Sequence, residues 1–270
     1  MRARCSTAWW RWGVDEAALL DSLPAWAFAA MLVVARIGTA CMLLPGIGEA
    51  ELPVTVRLGF ILCLTGLVLP VVSGAMPAAT AEIAPMAGML IAEIITGLWL
   101  GWLARLILLS LPMAGQLIAS ATGMINVLQP DAALGAGSSA LQRLLGLCAP
   151  VLLLASGLHM LPLQAIVGSY DLIPAGQFLP VGDTVFVYVR AVSEAFALAL
   201  RLATPFLIAG VLYQAAIGLA ARLVPQLQVY FAAMPGQILG SLALLGVIVT
   251  AVVGRWMEAA GGLLSALPGL

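Results

Sequence analysis

The chain has 270 residues, 63% of them hydrophobic and 9% charged, with a net charge of −1. Soluble domains carry about 25% charged residues, so this chain has too little polar surface to face water all round and reads as a polytopic integral membrane protein. All basic residues are Arg and none form a run, which excludes nucleic acid as a partner and gives no polybasic flank for anionic lipid.

Residues 1–13, MRARCSTAWWRWG, are basic and Trp-rich but lack the apolar run of a signal peptide. Two readings stand: an interfacial anchor of Trp and Arg, or an extension ahead of a natural start near Val14. A bilayer crossing needs about 20 apolar residues. Six windows qualify: 26–45, 57–73, 84–111, 144–168, 189–220 and 236–256. The third and fifth are long and must tilt, kink or leave the membrane plane. Turn signals separate them at Pro45-Gly46-Ile47-Gly48, Ser73-Gly74-Ala75-Met76-Pro77, Asp171-Leu172-Ile173-Pro174 and Val224-Pro225-Gln226. The weakly apolar stretch 112–143 reads as a loop by its breakers, ending in the S-x-x-Q capping box Ser139-Ala140-Leu141-Gln142. The two halves show no self-similarity.

Charges occur where they are costly. Arg36 lies in the first window, Glu93 and Arg105 in the third, and Arg190, Glu194 and Arg201 in the fifth. A mid-bilayer charge costs about 2.5–3.5 kcal/mol on insertion scales, so each is expected to face protein or water. At 100° per residue, 190, 194 and 201 fall within about 40° of one another, with Thr204 at the edge. This stripe either lines an aqueous path or packs on a polar partner, or else lies at the membrane surface with Arg201 snorkelling. Arg190 and Glu194 are spaced to neutralise each other. Arg57, Arg143, Arg190, Arg222 and Arg255 fall on both sides of the predicted topology, so orientation is not set. This balance argues against six simple spans. Gly97/Gly101 and Gly236/Gly240 form G-x-x-x-G patterns that permit close helix approach.

No catalytic, metal or cofactor constellation emerges. Cys5, Cys41, Cys63 and Cys148 are scattered and read as small apolar core residues. The lone His159 reads as packed or interfacial. A pairing of Ser138 or Ser139 with His159 lacks a G-x-S-x-G elbow, and no phosphate-binding motif occurs. Conduits, carriers and scaffolds remain.

An ordered set of pieces then carries a resemblance. These are Ala35-Arg36-Ile37-Gly38, Pro45-Gly46-Ile47-Gly48, Leu52-Pro53-Val54-Thr55-Val56-Arg57-Leu58, Ala114-Gly115-Gln116-Leu117-Ile118, the loop from Gly123 through Asp131 to Gly137, Gly157-Leu158-His159, Leu172-Ile173-Pro174, and Gly218-Leu219-Ala220-Ala221-Arg222-Leu223-Val224-Pro225-Gln226-Leu227-Gln228-Val229-Tyr230-Phe231. In order and spacing they resemble the FliR family of type III secretion export-gate subunits, flagellar and injectisome, over residues 14–256. Gln116 stands where Glu is usual, Gln228 where Asn is usual, and Pro130 precedes Asp131 instead of following it. Met234-Pro235-Gly236 lacks the lysine common in injectisome members, which points to the flagellar branch.

The resemblance implies an all-α membrane protein of helix hairpins, a FliP-like part (14–170) fused to a FliQ-like part (189–256), with a tail at 257–270. It implies a non-enzymatic core subunit in the inner membrane and flagellar basal body, without cofactor or metal. Its partners would be FliP-like and FliQ-like subunits, FlhB-like and FlhA-like export components, membrane lipid and unfolded secretion substrates. The loop carrying Gly123, Asn126, Gln129, Pro130, Asp131, Gly135 and Gly137 would plug the conduit. Arg36, Pro45, Arg57, Glu93, Arg190, Glu194, Arg201, Arg222, Pro225, Gln226 and Gln228 would contact subunits or line the pore. Against this stand an injectisome gate of the same family and a small-molecule secondary transporter, which would show paired broken helices and internal symmetry.

Overall fold

The computed structural model describes residues 16–49, 51–80, 82–124, 139–223 and 229–270, with side chains described from Ser22 onward and, in the last helix, from Ala233. Among these residues the fold is all helix. In chain order the helices are α1 (Glu16–Leu43), α2 (Val54–Val72, followed by the 3-10 turn Ser73–Ala75), α3 (Ile83–Ala121), α4 (Ala140–Ala155), α5 (Met160–Leu172), α6 (Val181–Leu223) and α7 (Val229–Leu264). Five are long and apolar enough to cross a membrane, and α4 and α5, bent by 70° to each other, bring the number to six if the pair is one broken span and not a re-entrant loop. The six expected windows are therefore present, with the fourth broken. Its break is at Ser156–His159, where Gly157 takes φ +76°, a left-handed turn that ends α4.

Helix α3 is the hub, packing against α1, α4 and α6 and more lightly against α5 and α7. Small residues set the seams. Gly97 lies against the Arg36 carbonyl and Thr39 hydroxyl, and a Cβ at Gly101 would stand 2.7 Å from the Ala40 carbonyl oxygen. Gly210 of α6 similarly abuts the Ala121 carbonyl. The expected close approach at Gly97/Gly101 thus occurs. Gly236/Gly240 does not act this way: nothing lies within 4 Å of a Cβ at Gly240, and both glycines line a cavity of about 290 Å³ beside Tyr213 and Gln237.

Two further expectations are corrected. Residues 112–121 are not loop but the end of α3. Pro112 removes one backbone donor, yet nearby polar groups are satisfied: Ser110 Oγ donates to the Ile107 carbonyl at 2.6 Å and accepts Trp256 Nε1 of α7 at 3.0 Å. The 257–270 tail continues α7 as helix to Leu264, with Ala260, Leu264 and Leu267 buried, which leaves its reading as a tail neither supported nor overturned. Cys41 is a core residue as read, but Cys63 is exposed on α2.

Candidate functional site

The charges embedded in the apolar helices divide into a satisfied inner group and an outward-facing group. At the centre is Arg36 of α1, fully buried, as is Glu93 of α3. Arg36 Nε and Nη2 donate to the two Glu93 oxygens at 2.6 and 3.0 Å. Nη1 donates to Ser169 Oγ at 3.1 Å, and both Nη1 and Nη2 reach the Ile173 carbonyl at 3.0 Å. All five guanidinium N–H groups are therefore used. The guanidinium also stacks 4.0 Å from the Tyr170 ring centroid, a cation–π contact.

Local sequence explains why these acceptors are there. Pro174 disfavours helical geometry at Ile173, which is extended at φ −129°, ψ 92° and caps α5. Its carbonyl is thus free for Arg36. Gly176, at φ +78°, turns the chain so that its N–H donates to Glu93 Oε1 at 2.7 Å. Sequence reading named Arg36, Glu93 and the Leu172-Ile173-Pro174 signal separately. The structure joins them, and adds Ser169, Tyr170 and Gly176.

A second cluster organises the α1–α2 corner. Arg57 donates to the carbonyls of Ile47 and Glu49 at 3.1 and 2.6 Å. Pro45 is buried beneath the turn, Gly46 adopts φ +82° against Leu154, and Gly48 N–H donates to the Leu44 carbonyl at 2.7 Å. Arg105 of α3 meets Glu49 at 3.6 Å. Glu49, Glu51, Arg105 and Arg143 line a cleft of about 320 Å³.

The outward group lies on α6. Arg190 donates to Glu194 at 2.8 Å with both side chains exposed, so this pair is at the surface of the chain and not in its core. Arg201 is exposed too, in a cleft shared with Arg255 and Glu258 of α7. Thr204 folds its hydroxyl onto the Leu200 carbonyl. Arg222 is exposed in the last turn of α6, where a cation complements the helix dipole. Pro225, Gln226 and Gln228 lie outside the described residues.

Of the expected plug segment, only Gly123 is described; Asn126, Gln129, Pro130, Asp131, Gly135 and Gly137 lie outside the described residues. Gly123 has φ +72°, and Met124 N–H closes onto the Ala119 carbonyl at 3.1 Å, a Schellman end to α3. Gln237 of α7 packs on Gly123 and donates to the Ala121 carbonyl at 3.3 Å. On the far side Ser139 Oγ accepts Gln142 N–H at 3.1 Å. The capping box is completed from elsewhere, since Gln116 Oε1 accepts Ser139 N–H at 3.2 Å. Among the described residues no group of His, Cys, Asp and Glu could hold a metal ion.

The family model of the bacterial export proteins, family 1, matches residues 27–262. The chain belongs to this family. It is 30% identical over 231 residues to the flagellar biosynthetic protein FliR of Caulobacter vibrioides, covering 86% of this chain and 92% of that protein. It is 27% identical over 241 residues to the protein of the same name from Bacillus subtilis, covering 87% and 89%. The resemblance to FliR expected from the ordered motifs is borne out. The match to the export family takes in the whole Arg36–Glu93–Ile173 network, the α1–α2 corner and the α6–α7 pair.

Proposed function

We propose that this chain is a core subunit of a type III secretion export gate in the bacterial inner membrane and flagellar basal body. With FliP-like and FliQ-like partners it forms the wall of a conduit for unfolded flagellar proteins, alongside FlhB-like and FlhA-like components. Family membership supports the export role. The observation that carries the subunit reading is length against polarity. Helices α3, α6 and α7 have 39, 43 and 36 residues, about 58, 64 and 54 Å long, whereas the hydrocarbon layer is about 30 Å thick. Apolar surface extending beyond lipid requires protein cover.

Within this reading α6–α7 is the FliQ-like hairpin and α1–α5 the FliP-like part, with their junction in the 173–180 connection. The Arg36 network ties that junction to α1 and α3. The segment between α3 and α4 closes the resting conduit. A strain lacking this chain is expected to assemble no external filament and to secrete none of its subunits, with growth on single carbon sources unchanged. Retained secretion would overturn the reading. Removing residues 126–136 is expected to admit ions or small solutes through the assembled gate; unchanged permeability counts against the closure role.

A further inference from the structure

Large apolar side chains are exposed along both α6 and α7, between the outward-facing charges Arg190, Arg201 and Arg222 of α6 and Arg255 and Glu258 of α7. Val181, Phe186, Leu212 and Leu223 are exposed on α6, and Leu239 and Val247 on α7. Even at a tilt of 40° a bilayer crossing takes up only about 39 Å of helix, so lipid leaves more than a third of α6 uncovered. That length is available to a second protein laid along the hairpin.

The cleft between the two helices shows what that protein carries. Its volume is about 580 Å³, and it is lined by Arg201 and Pro205 of α6 and by Ile248, Ala251, Arg255 and Glu258 of α7. Neither arginine makes an ion pair or hydrogen bond with another described residue. Two guanidinium groups face one carboxylate, an excess of one positive charge on apolar walls. An uncompensated charge covered by apolar protein costs several kcal/mol, so the covering surface must bring an anion. Arginine favours a planar, bidentate acceptor.

We propose that this cleft seats an apolar helix of a neighbouring subunit, which places an Asp or Glu carboxylate between Arg201 and Arg255. The proposal rests on the export-gate reading for where the neighbour comes from, and adds the chemistry of the contact. A phosphate headgroup would satisfy the same arginines. The uncovered length of α6 and α7 favours a helix.

The test places a photo-crosslinking amino acid at Ala251 of the full chain in its native cells. The expected adduct is a peptide from the apolar helix of another membrane protein, with Asp or Glu within one turn of the linked residue. Adducts with phospholipid alone, or with a helix lacking a carboxylate, overturn the proposal. In parallel, Arg201→Gln with Arg255→Gln is expected to lower recovery of the crosslinked partner about tenfold or more, as loss of a buried charge pair does. The Lys, Lys double variant is expected to keep most of it. Full recovery of the partner with the Gln, Gln chain overturns the proposal. Should that chain fail to reach the membrane, the Ala251 adduct decides alone. An acidic helix from a protein outside any export apparatus upholds the seat and removes the gate reading. Recovery with two small membrane partners but lipid adducts at Ala251 does the reverse.

Discussion

Glu93 is the residue whose loss isolates the most. Without its carboxylate, Arg36 keeps the Ile173 carbonyl, Ser169 Oγ and the Tyr170 face but has no counter-charge at zero exposure. Breaking a buried ion pair from one side costs about 3–5 kcal/mol, whereas replacing both partners with apolar groups is often neutral. Glu93→Ala is therefore expected to lower the thermal aggregation temperature of the detergent-solubilised protein, and Arg36→Met with Glu93→Leu to restore most of the loss. Equal damage from the single and double variants would show that the pair is not the unit of stabilisation. The need for a partner was legible in the sequence, because a charge amid apolar residues has to be satisfied. Which groups satisfy it was not. Ser169 and Ile173 stand 133 and 137 positions from Arg36, and a carbonyl leaves no compositional trace.

Helices α3 and α7 each carry a G-x-x-x-G pattern and use it differently. At Gly97 any Cβ meets backbone of α1, whereas at Gly240 it meets open space. Gly97→Ala is expected to cost about 1–3 kcal/mol by overpacking, seen as lower yield and melting temperature, while Gly240→Ala should leave both within error. Comparable losses would remove the distinction. The pattern was visible in advance, but its use depends on which helix lies opposite. The misreading of 112–121 has a related cause. The breakers that marked 112–143 as loop all lie at 123–139, and 112–121 was joined to them for its weak apolarity, yet there Gly115 serves close packing on α4. The broken fourth crossing was missed because apolar content is the same on both sides of Gly157. Its positive φ is a property of the turn.

At the scale of the whole molecule, composition alone established the membrane class, and the ordered motifs established the family. The expectation that the six crossings are not simple bears on helix length. Three helices are longer than the hydrocarbon layer is thick, the α4–α5 pair is bent by 70°, and the charges on α6 face outward. Arg222 belongs to this outward set, exposed at the end of α6 and without an ion pair among the described residues. Arg222→Glu is expected to abolish recovery of FliP-like partners while the chain itself still reaches the membrane; undiminished recovery would free Arg222 of that role. The central claim is that this apolar chain is completed by other subunits. Native mass spectrometry after extraction from its own cells in mild detergent tests it most directly. The account predicts one copy of this chain in a complex with several copies of two smaller apolar membrane proteins. A stable lone chain, or an assembly of this chain only with itself, would contradict it.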